Sequence, residues 1–477
     1  MERQTRILTV LFVGVLMGAL DIAVIGPALP AIGAEFDIEA RALSWAVTIY
    51  VLFNLVGTPL LAKLSDRFGR RWVFSTNVGL FALGSLGVAL APGFAGLLAG
   101  RAVQGFGAGG IFPVASAVIG DVFPADRRGQ ALGMLGAVFG LAFLIGPILG
   151  GVLLPVSWRL LFLVNLPVAI GLILAGIAVL PSPSTRTDRP LRPPFDAAGT
   201  LTLGLILAGL AIGLDQLDTG QLANSLTSPW VWPFLAIAAL LLPYFPRVER
   251  RARDPVFPIE LLAARETRTA SLLAIGGGFL EGALVFIPAM VTVAFGVTTS
   301  TASFMLLPAV GAMGLGAPLA GRALDRVGAK RVLLVGTGLL TVALSLLAVV
   351  PLTQPTFVAL TIGLGLGLSA LIGAPVRYVM LEHVSESARA SAQGAISMLT
   401  RIGLLTSSAA VGALVASHDG LGGFRAAYLV SAGLCLVLLI VTGFRLAGIT
   451  DRAEPSAERQ PHQGTRARRY SKGGGVS

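Results

Sequence analysis

The sequence predicts an all-α membrane protein built from two similar six-helix halves, with two further helices inserted between them. Three observations predict this. Of the residues, 55% are apolar and 12% charged, and apolar runs of about 20 residues, enough to cross a bilayer core, recur along the chain. One phrase occurs twice. It reads Gly57-Thr58-Pro59-Leu60, Lys63 and Asp66-Arg67-Phe68-Gly69-Arg70-Arg71, then Gly316-Ala317-Pro318-Leu319, Arg322 and Asp325-Arg326-Val327-Gly328-Ala329-Lys330. The basic residues also gather on one side of the spans.

Fourteen apolar runs lie near 7–33, 43–63, 72–91, 94–119, 130–154, 159–180, 197–214, 230–246, 269–296, 302–321, 332–352, 357–380, 390–416 and 424–447. With the N-terminus in the cytoplasm, loops on that side and the tail hold 29 of the 35 Lys and Arg. Arg41, Arg159 and Arg425 fall opposite, and Arg101, Arg377 and Arg401 fall within spans. Positive residues stay inside, so both termini are expected in the cytoplasm and the chain in the cytoplasmic membrane. The net charge of +11 is then a topology signal and a fit to anionic lipid headgroups. It is spread over too many loops to suggest nucleic acid. The first run is too long for a cleaved signal peptide and lacks an Ala-x-Ala exit. The single Cys435 excludes an internal disulfide. His383, His418 and His462 are scattered, which argues against a metal site.

The duplication extends past the turns, since Pro113 and Arg127 have counterparts in Pro375 and Arg389. Spans one to six therefore match spans nine to fourteen. Residues 1–180 form the first half and 269–447 the second. Residues 181–268 hold a Pro/Arg-rich linker, with Arg186, Arg189 and Arg192, and the inserted pair; 448–477 form a basic tail expected to be disordered. Two six-span halves in parallel orientation are a transporter plan with the substrate site between them at mid-membrane.

Several runs within the spans carry chemistry. The Asp66 turn either locks neighbouring helices or anchors them at the headgroups. Arg101-Ala102-Val103-Gln104-Gly105 lies in the fourth span. An intramembrane Arg costs roughly 2.5–3.5 kcal/mol on insertion scales, so it faces protein or water. Arg101 tunes a nearby acid, fixes packing through carbonyls, or snorkels to the outer interface. The fifth span holds Gly133, Ala142 and Gly146-Pro147-Ile148-Leu149-Gly150-Gly151, small residues that let helices approach and a proline that bends one. The second half has Ala409 in place of Pro147. In Trp158-Arg159-Leu160-Leu161-Phe162-Leu163-Val164-Asn165-Leu166-Pro167, Trp158 is expected at the outer interface and Asn165 on backbone left open by Pro167. Asp21 lies midway along the first span and Glu281 midway along the ninth, after Gly276-Gly277-Gly278. They are expected to face each other across the pseudo-two-fold, as sites where a proton is gained and lost. The alternative is a permanent partnership with Arg377 or Arg401. Arg377, Arg401, Gln104 and Asn54 are the candidates to line the cavity. Gly105-x-Gly107-x-x-Gly110 fits a dinucleotide pattern but sits inside a span with no strand before it, and no phosphate-binding Gly-x-x-x-x-Gly-Lys-Ser/Thr run occurs.

Together these ordered runs resemble the major facilitator superfamily, and within it the fourteen-span drug:proton antiporters, over residues 7–447. The resemblance implies the major facilitator fold, a monomer, no enzymatic activity and no cofactor beyond a proton gradient. It implies a cytoplasmic gate from Asp66, Arg67, Gly69, Arg70 and Arg71, with a second copy in Asp325, Arg326 and Gly328. Asp66 would accept hydrogen bonds from a helix N-terminus, and the arginines would pair with acids across the half. Ala62 departs from the family's glycine. Asp21, Glu281 and Arg101 would couple protons. Gly133, Gly146, Pro147, Gly150 and Gly151 resemble the antiporter motif, whose presence in one half accompanies exporters. The implied function is proton-coupled export of hydrophobic or amphiphilic compounds. Relatives that move triacylglyceride-like lipids share the Gly18-Ala19-Leu20-Asp21 opening and the 363–368 Gly-Leu repeat, so lipid export is an alternative. A non-transporting membrane sensor, using the 248–268 segment and the basic tail to bind partners, is another.

Overall fold

The computed structural model describes residues 2–181, 196–253, 255–384 and 389–446. Most of the Pro/Arg-rich linker and the basic tail, like the side chains of Arg128 and Arg389, lie outside the described residues. The first half comprises α1 (Glu2–Phe36), α2 (Ala40–Phe68), α3 (Arg70–Ala89), α4 (Phe94–Val122), α5 (Ala125–Leu153) and a sixth span made of α6 (Leu160–Leu163) and α7 (Asn165–Val179). The inserted segment holds α8 (Ala197–Asp215), the short α9 (Leu222–Leu226) and α10 (Trp232–Glu249). The second half comprises α11 (Arg265–Leu284) with α12 (Ile287–Phe295), α13 (Thr299–Phe304) with α14 (Leu307–Val327), α15 (Ala329–Val349), α16 (Gln354–Ile372) with α17 (Ala374–Glu382), α18 (Arg389–Ala416) and α19 (Leu421–Arg445).

Among the described residues, twelve spans are long and apolar enough to cross a membrane, α8 included. The other two expected positions are filled by α5, with 29 residues, and by α10, with 18 residues, Pro243 and Pro246, and a charged end. Three of the broken spans in the second half break just before Pro288, Pro308 and Pro375. Proline supplies no N–H and disfavours helical geometry in the residue before it, so the chain restarts there.

The duplicated turn is duplicated in backbone geometry. Gly69 ends α2 at φ 95° and Gly328 ends α14 at φ 81°, with ψ of 147° and 160°. This region favours glycine, which lacks the Cβ that would clash. These turns define one end of the bundle, the turn end. Arg41 and Arg159 lie towards the opposite, far end.

The halves meet along two seams. On one, α2 packs against α18; on the other, α5 packs against α13 and α14. Towards the far end, Thr48 and Ser408 share a hydrogen bond of 2.7 Å. There Ser300 Oγ also donates to the Gly151 carbonyl at 2.6 Å and Ser303 Oγ to the Pro147 carbonyl at 2.8 Å. The far end is therefore closed. The antiporter-like run makes this contact possible. A Cβ on Gly150 would collide with Ser303 Oγ across the seam, whereas one on Gly146 would lie 2.6 Å from Ala23 Cβ of α1, within the first half. Gly133 lies on the same helix, at a position whose surroundings are outside the described side chains. Gly150→Val is expected to reduce transport strongly while the protein still inserts and purifies, because the bulk falls on the seam. Transport assays beside size-exclusion profiles of equal protein check this.

The turn end of the inserted pair is fixed by two carboxyls. Asp196 caps α8, its Oδ1 accepting from the Gly199 amide at 2.8 Å. Its Oδ2 and Glu249 Oε1 are buried with no hydrogen-bond partner, and both point at the space a Gly199 side chain would fill. Glu249, past the apolar run, accepts from the Phe257 amide at 3.0 Å. Burial pushes its carboxyl up to about 7, with the Phe257 amide opposing and the Asp196 charge adding. The folded chain thus keeps a proton that the unfolded chain has released. This contribution to stability falls as pH rises from the ordinary carboxylate range to about 7 and levels off above it. Amide exchange across 248–262, corrected for intrinsic rate, is expected to lose protection between about pH 5 and 8. Glu249→Gln, which mimics the protonated acid, should flatten that slope.

Candidate substrate cavity and coupling site

Asp21 comes from the middle of α1 and is 1% exposed. Arg101 and Gln104 lie three residues apart on α4, hence on one face, and both point at it. Arg101 Nη1 donates to Asp21 Oδ2 at 2.5 Å and to Gln104 Oε1 at 2.7 Å. Gln104 Nε2 donates to Asp21 Oδ1 at 2.6 Å and to Ser85 Oγ of α3 at 2.7 Å. Arg101 Nε donates to the Ala46 carbonyl of α2 at 2.8 Å, and its guanidinium lies 4.2 Å from the Tyr50 ring centroid. The carboxylate is thus met by an ion pair and an amide, and the arginine by three acceptors and a π face. This approach of helices needs Gly105, where a Cβ would lie 2.2 Å from the Tyr50 carbonyl.

Several expectations need correcting. Arg101 does not snorkel; it is 1% exposed and holds Asp21 within the first half. Gln104, expected in the cavity, belongs to this network and is fully buried. Asp21 therefore pairs with Arg101 rather than with Arg377 or Arg401. Arg377 sits on α17 and reaches Gln393 Oε1 at 3.5 Å towards the turn end, away from the cavity. Trp158, expected at the outer interface, is buried among protein side chains at the far end. Its indole donates to Glu35 Oε2 at 2.6 Å, and Arg159 pairs with Glu35 Oε1 at 2.5 Å. The Arg159 hydrogen bond holds the Glu35 carboxyl below its usual range. Asn165 Nδ2 donates to Ser85 Oγ at 3.3 Å, not to backbone freed by Pro167. The Trp158–Pro167 run is thus a third wall of the Asp21 network, since Phe162 also lies 5.9 Å from the Arg101 guanidinium.

A small cavity of about 30 Å³ lies beside the network, lined by Val15, Gly18, Tyr50, Asn54, Phe112 and Arg401 among others. It is far smaller than the roughly 300–1,000 Å³ of drug-sized sites, as suits a closed far end. Asn54 and Arg401 are the expected cavity residues found here. Glu281, on α11, is close enough to feel the Arg401 charge, so the second half has its own acid and cation. Tyr50, Ser85 and Ala46 were absent from the sequence reading. Tyr50 and Ala46 share the Asn54 face of α2 at four-residue spacing, which was the available signal.

At the turn end, Arg70 Nη1 pairs with Asp66 Oδ1 at 2.5 Å, and its Nε pairs with Asp121 Oδ2 of α4 at 3.1 Å. Arg71 Nε donates to the Leu180 carbonyl at 2.8 Å, and Arg67 lies against Phe68. These contacts tie α2, α3, α4 and α7 together within the first half. In the second copy, Asp325 lies near the Tyr378–Glu382 pair of α17.

The sequence profile described as Major Facilitator Superfamily matches residues 11–256 and 269–472. The chain belongs to the Major Facilitator Superfamily. It is 34% identical over 429 residues to an uncharacterized MFS-type transporter, YfiU of Bacillus subtilis, covering 88% of this chain and 82% of that protein. It is 29% identical over 378 residues to the multidrug transporter protein MdtP of the same organism, covering 77% and 68%. Among solved structures, a D-xylose-proton symporter superposes with a TM-score of 0.67 at 14% identity, covering 92% of this chain and 97% of that one. This likeness shows the fold, and the chain is a multi-pass transporter-family protein.

Arg101→Ala would leave a buried carboxylate without its cation, a loss on the order of 3–5 kcal/mol. Adding Asp21→Asn should recover part of it, because the charge needing a partner is gone. A double-mutant cycle on unfolding in detergent measures the coupling.

Proposed function

We propose that this protein exports hydrophobic or amphiphilic compounds in exchange for protons by alternating access. On this reading it lies in the cytoplasmic membrane with both termini inside. The observation that carries it is Asp21, a buried carboxylate joined to Arg101 and Gln104 beside a mostly apolar cavity. A proton on Asp21 cancels its attraction for Arg101 and removes an acceptor. The α1–α4 contact then differs between the two protonation states. α1 is also a helix that touches the other half, for a Gly26 Cβ would lie 2.7 Å from the Val285 carbonyl. Protonation at Asp21 can therefore bias how the halves meet, by as much as its free energy differs between the two arrangements.

Once rocking of the halves widens the cavity, cargo there would meet Asn54 and Arg401 amid apolar surface, which suits an amphiphile with one polar end. Glu281 beside Arg401 gives the second half a titratable partner near the same space. The relatives named as multidrug transporters support this cargo class. A potential of 100 mV supplies roughly 2.3 kcal/mol per charge moved, enough to sustain about a 50-fold cargo gradient.

The test uses proteoliposomes with an internal pH dye and a panel of cationic dyes, neutral drugs and fluorescent lipids. Cargo-dependent proton flux is expected, lost in Asp21→Asn and reduced in Glu281→Gln. Export against a gradient at the wild-type rate in the double variant would sink the proposal. Lipid movement without proton flux would replace it with lipid export.

A further inference from the structure

We propose that Tyr50 is a positioning residue: its ring is the partition between the central cavity and the Asp21–Arg101 network, and protons reach Asp21 only when cargo displaces it. The proposal rests on the proton-exchange reading above. Tyr50 lines the cavity, whereas Asp21, Arg101 and Gln104 do not. One face of the ring lies 4.2 Å from the Arg101 guanidinium. Gly18, which its hydroxyl reaches, and Asn54, one turn further along α2, line the same cavity. The hydroxyl reaches the Gly18 carbonyl of α1 at 3.5 Å, a long bond that is easily given up. Asp21, Arg101 and Arg401 all act electrostatically on this hydroxyl, so charges of both halves meet at one side chain.

The backbone beneath the ring cannot yield. The Tyr50 carbonyl lies where a Cβ on Gly105 would be, so α2 and α4 are in direct backbone contact there. Access to Asp21 from the cavity must then come from side-chain rotation rather than helix separation. Rotation exchanges the cation–π contact for contact with cargo, which ties the opening to occupancy. Phe162, on the far side of Arg101 at 5.9 Å, gives the guanidinium an aromatic neighbour that stays when Tyr50 leaves.

The experiment measures proton flux in proteoliposomes, with and without a transported cargo, for wild type, Tyr50→Phe, Tyr50→Ala and Tyr50→Leu. Wild type and Tyr50→Phe should pass protons only with cargo, since both keep the ring over Arg101. Tyr50→Ala should leak protons without cargo, several-fold above wild type, with fewer cargo molecules exported per proton. Tyr50→Leu, which keeps bulk without a π face, is measured beside it so that one poorly folding variant does not decide the matter. The leak should vanish when Asp21→Asn is added, which a general packing defect would not do. Tight coupling in both Tyr50→Ala and Tyr50→Leu overturns the proposal, as does a leak that survives Asp21→Asn. Absence of cargo-driven proton flux in wild type would instead overturn the exchange reading, and this proposal with it.

Discussion

A carboxylate and a guanidinium held away from water in the middle of a bundle constrain everything around them. The bilayer offers no solvent to satisfy either group, so each donor and acceptor must be met by protein. Asp21, Arg101 and Gln104 draw partners from α1, α2, α3 and α4 at once, and Asn165 of α7 reaches the same Ser85 hydroxyl. Charge-assisted bonds of 2.5–2.6 Å tolerate little displacement of these helices. The first half is therefore a unit organised around one ion pair, and its protonation is felt by every helix that supplies a partner.

The seam between the halves is built on the opposite principle. Small residues, rather than polar partners, set the distance there. Gly150 and Gly151 admit α13 where side chains would collide with Ser303 and Phe304, and hydroxyl-to-carbonyl bonds from Ser300 and Ser303 join the halves. A neutral hydrogen bond contributes about 0.5–1.5 kcal/mol net, far less than breaking a buried ion pair costs. The seam can part while the first half stays intact, as rocking of rigid halves requires.

Much of this was legible in the sequence. Duplicated Asp-Arg-x-Gly turns announced two halves, and Gly69 and Gly328 share a backbone conformation as that duplication implies. An intramembrane Asp and Arg marked the site because burial of either needs compensation. Their pairing was not legible. Asp21 and Arg101 lie on helices distant in sequence, and periodicity gives a face without giving the neighbour across it. Arg377 misled for a related reason. Its span breaks at Gly373, before Pro375, so it belongs to a short separate helix near Gln393. Tyr50 and Ser85 carried no charge to draw notice, and Ala46 contributes only its carbonyl, which no sequence pattern displays.

The inserted pair follows from the same accounting of buried polar groups. α8 packs on both α2 and α18, along one seam. At the far end Asp215 accepts from Ser44 Oγ at 2.8 Å and from the Trp45 indole at 2.7 Å, both on α2. Towards the second half, the Thr219 amide donates to Ser417 Oγ at 3.1 Å. Bonds to a carboxylate are roughly twice as strong as neutral ones. Losing Trp45 and Ser44 would also strand a buried charge, whereas Ser417 still has the Ala413 carbonyl at 2.8 Å. Opening the far end along this seam must break one set or the other, and the Thr219 bond is the cheaper. By its hydrogen bonds the inserted pair is tied more firmly to the first half, while the packing of α8 spans the seam and rests on α18 as well as on α2.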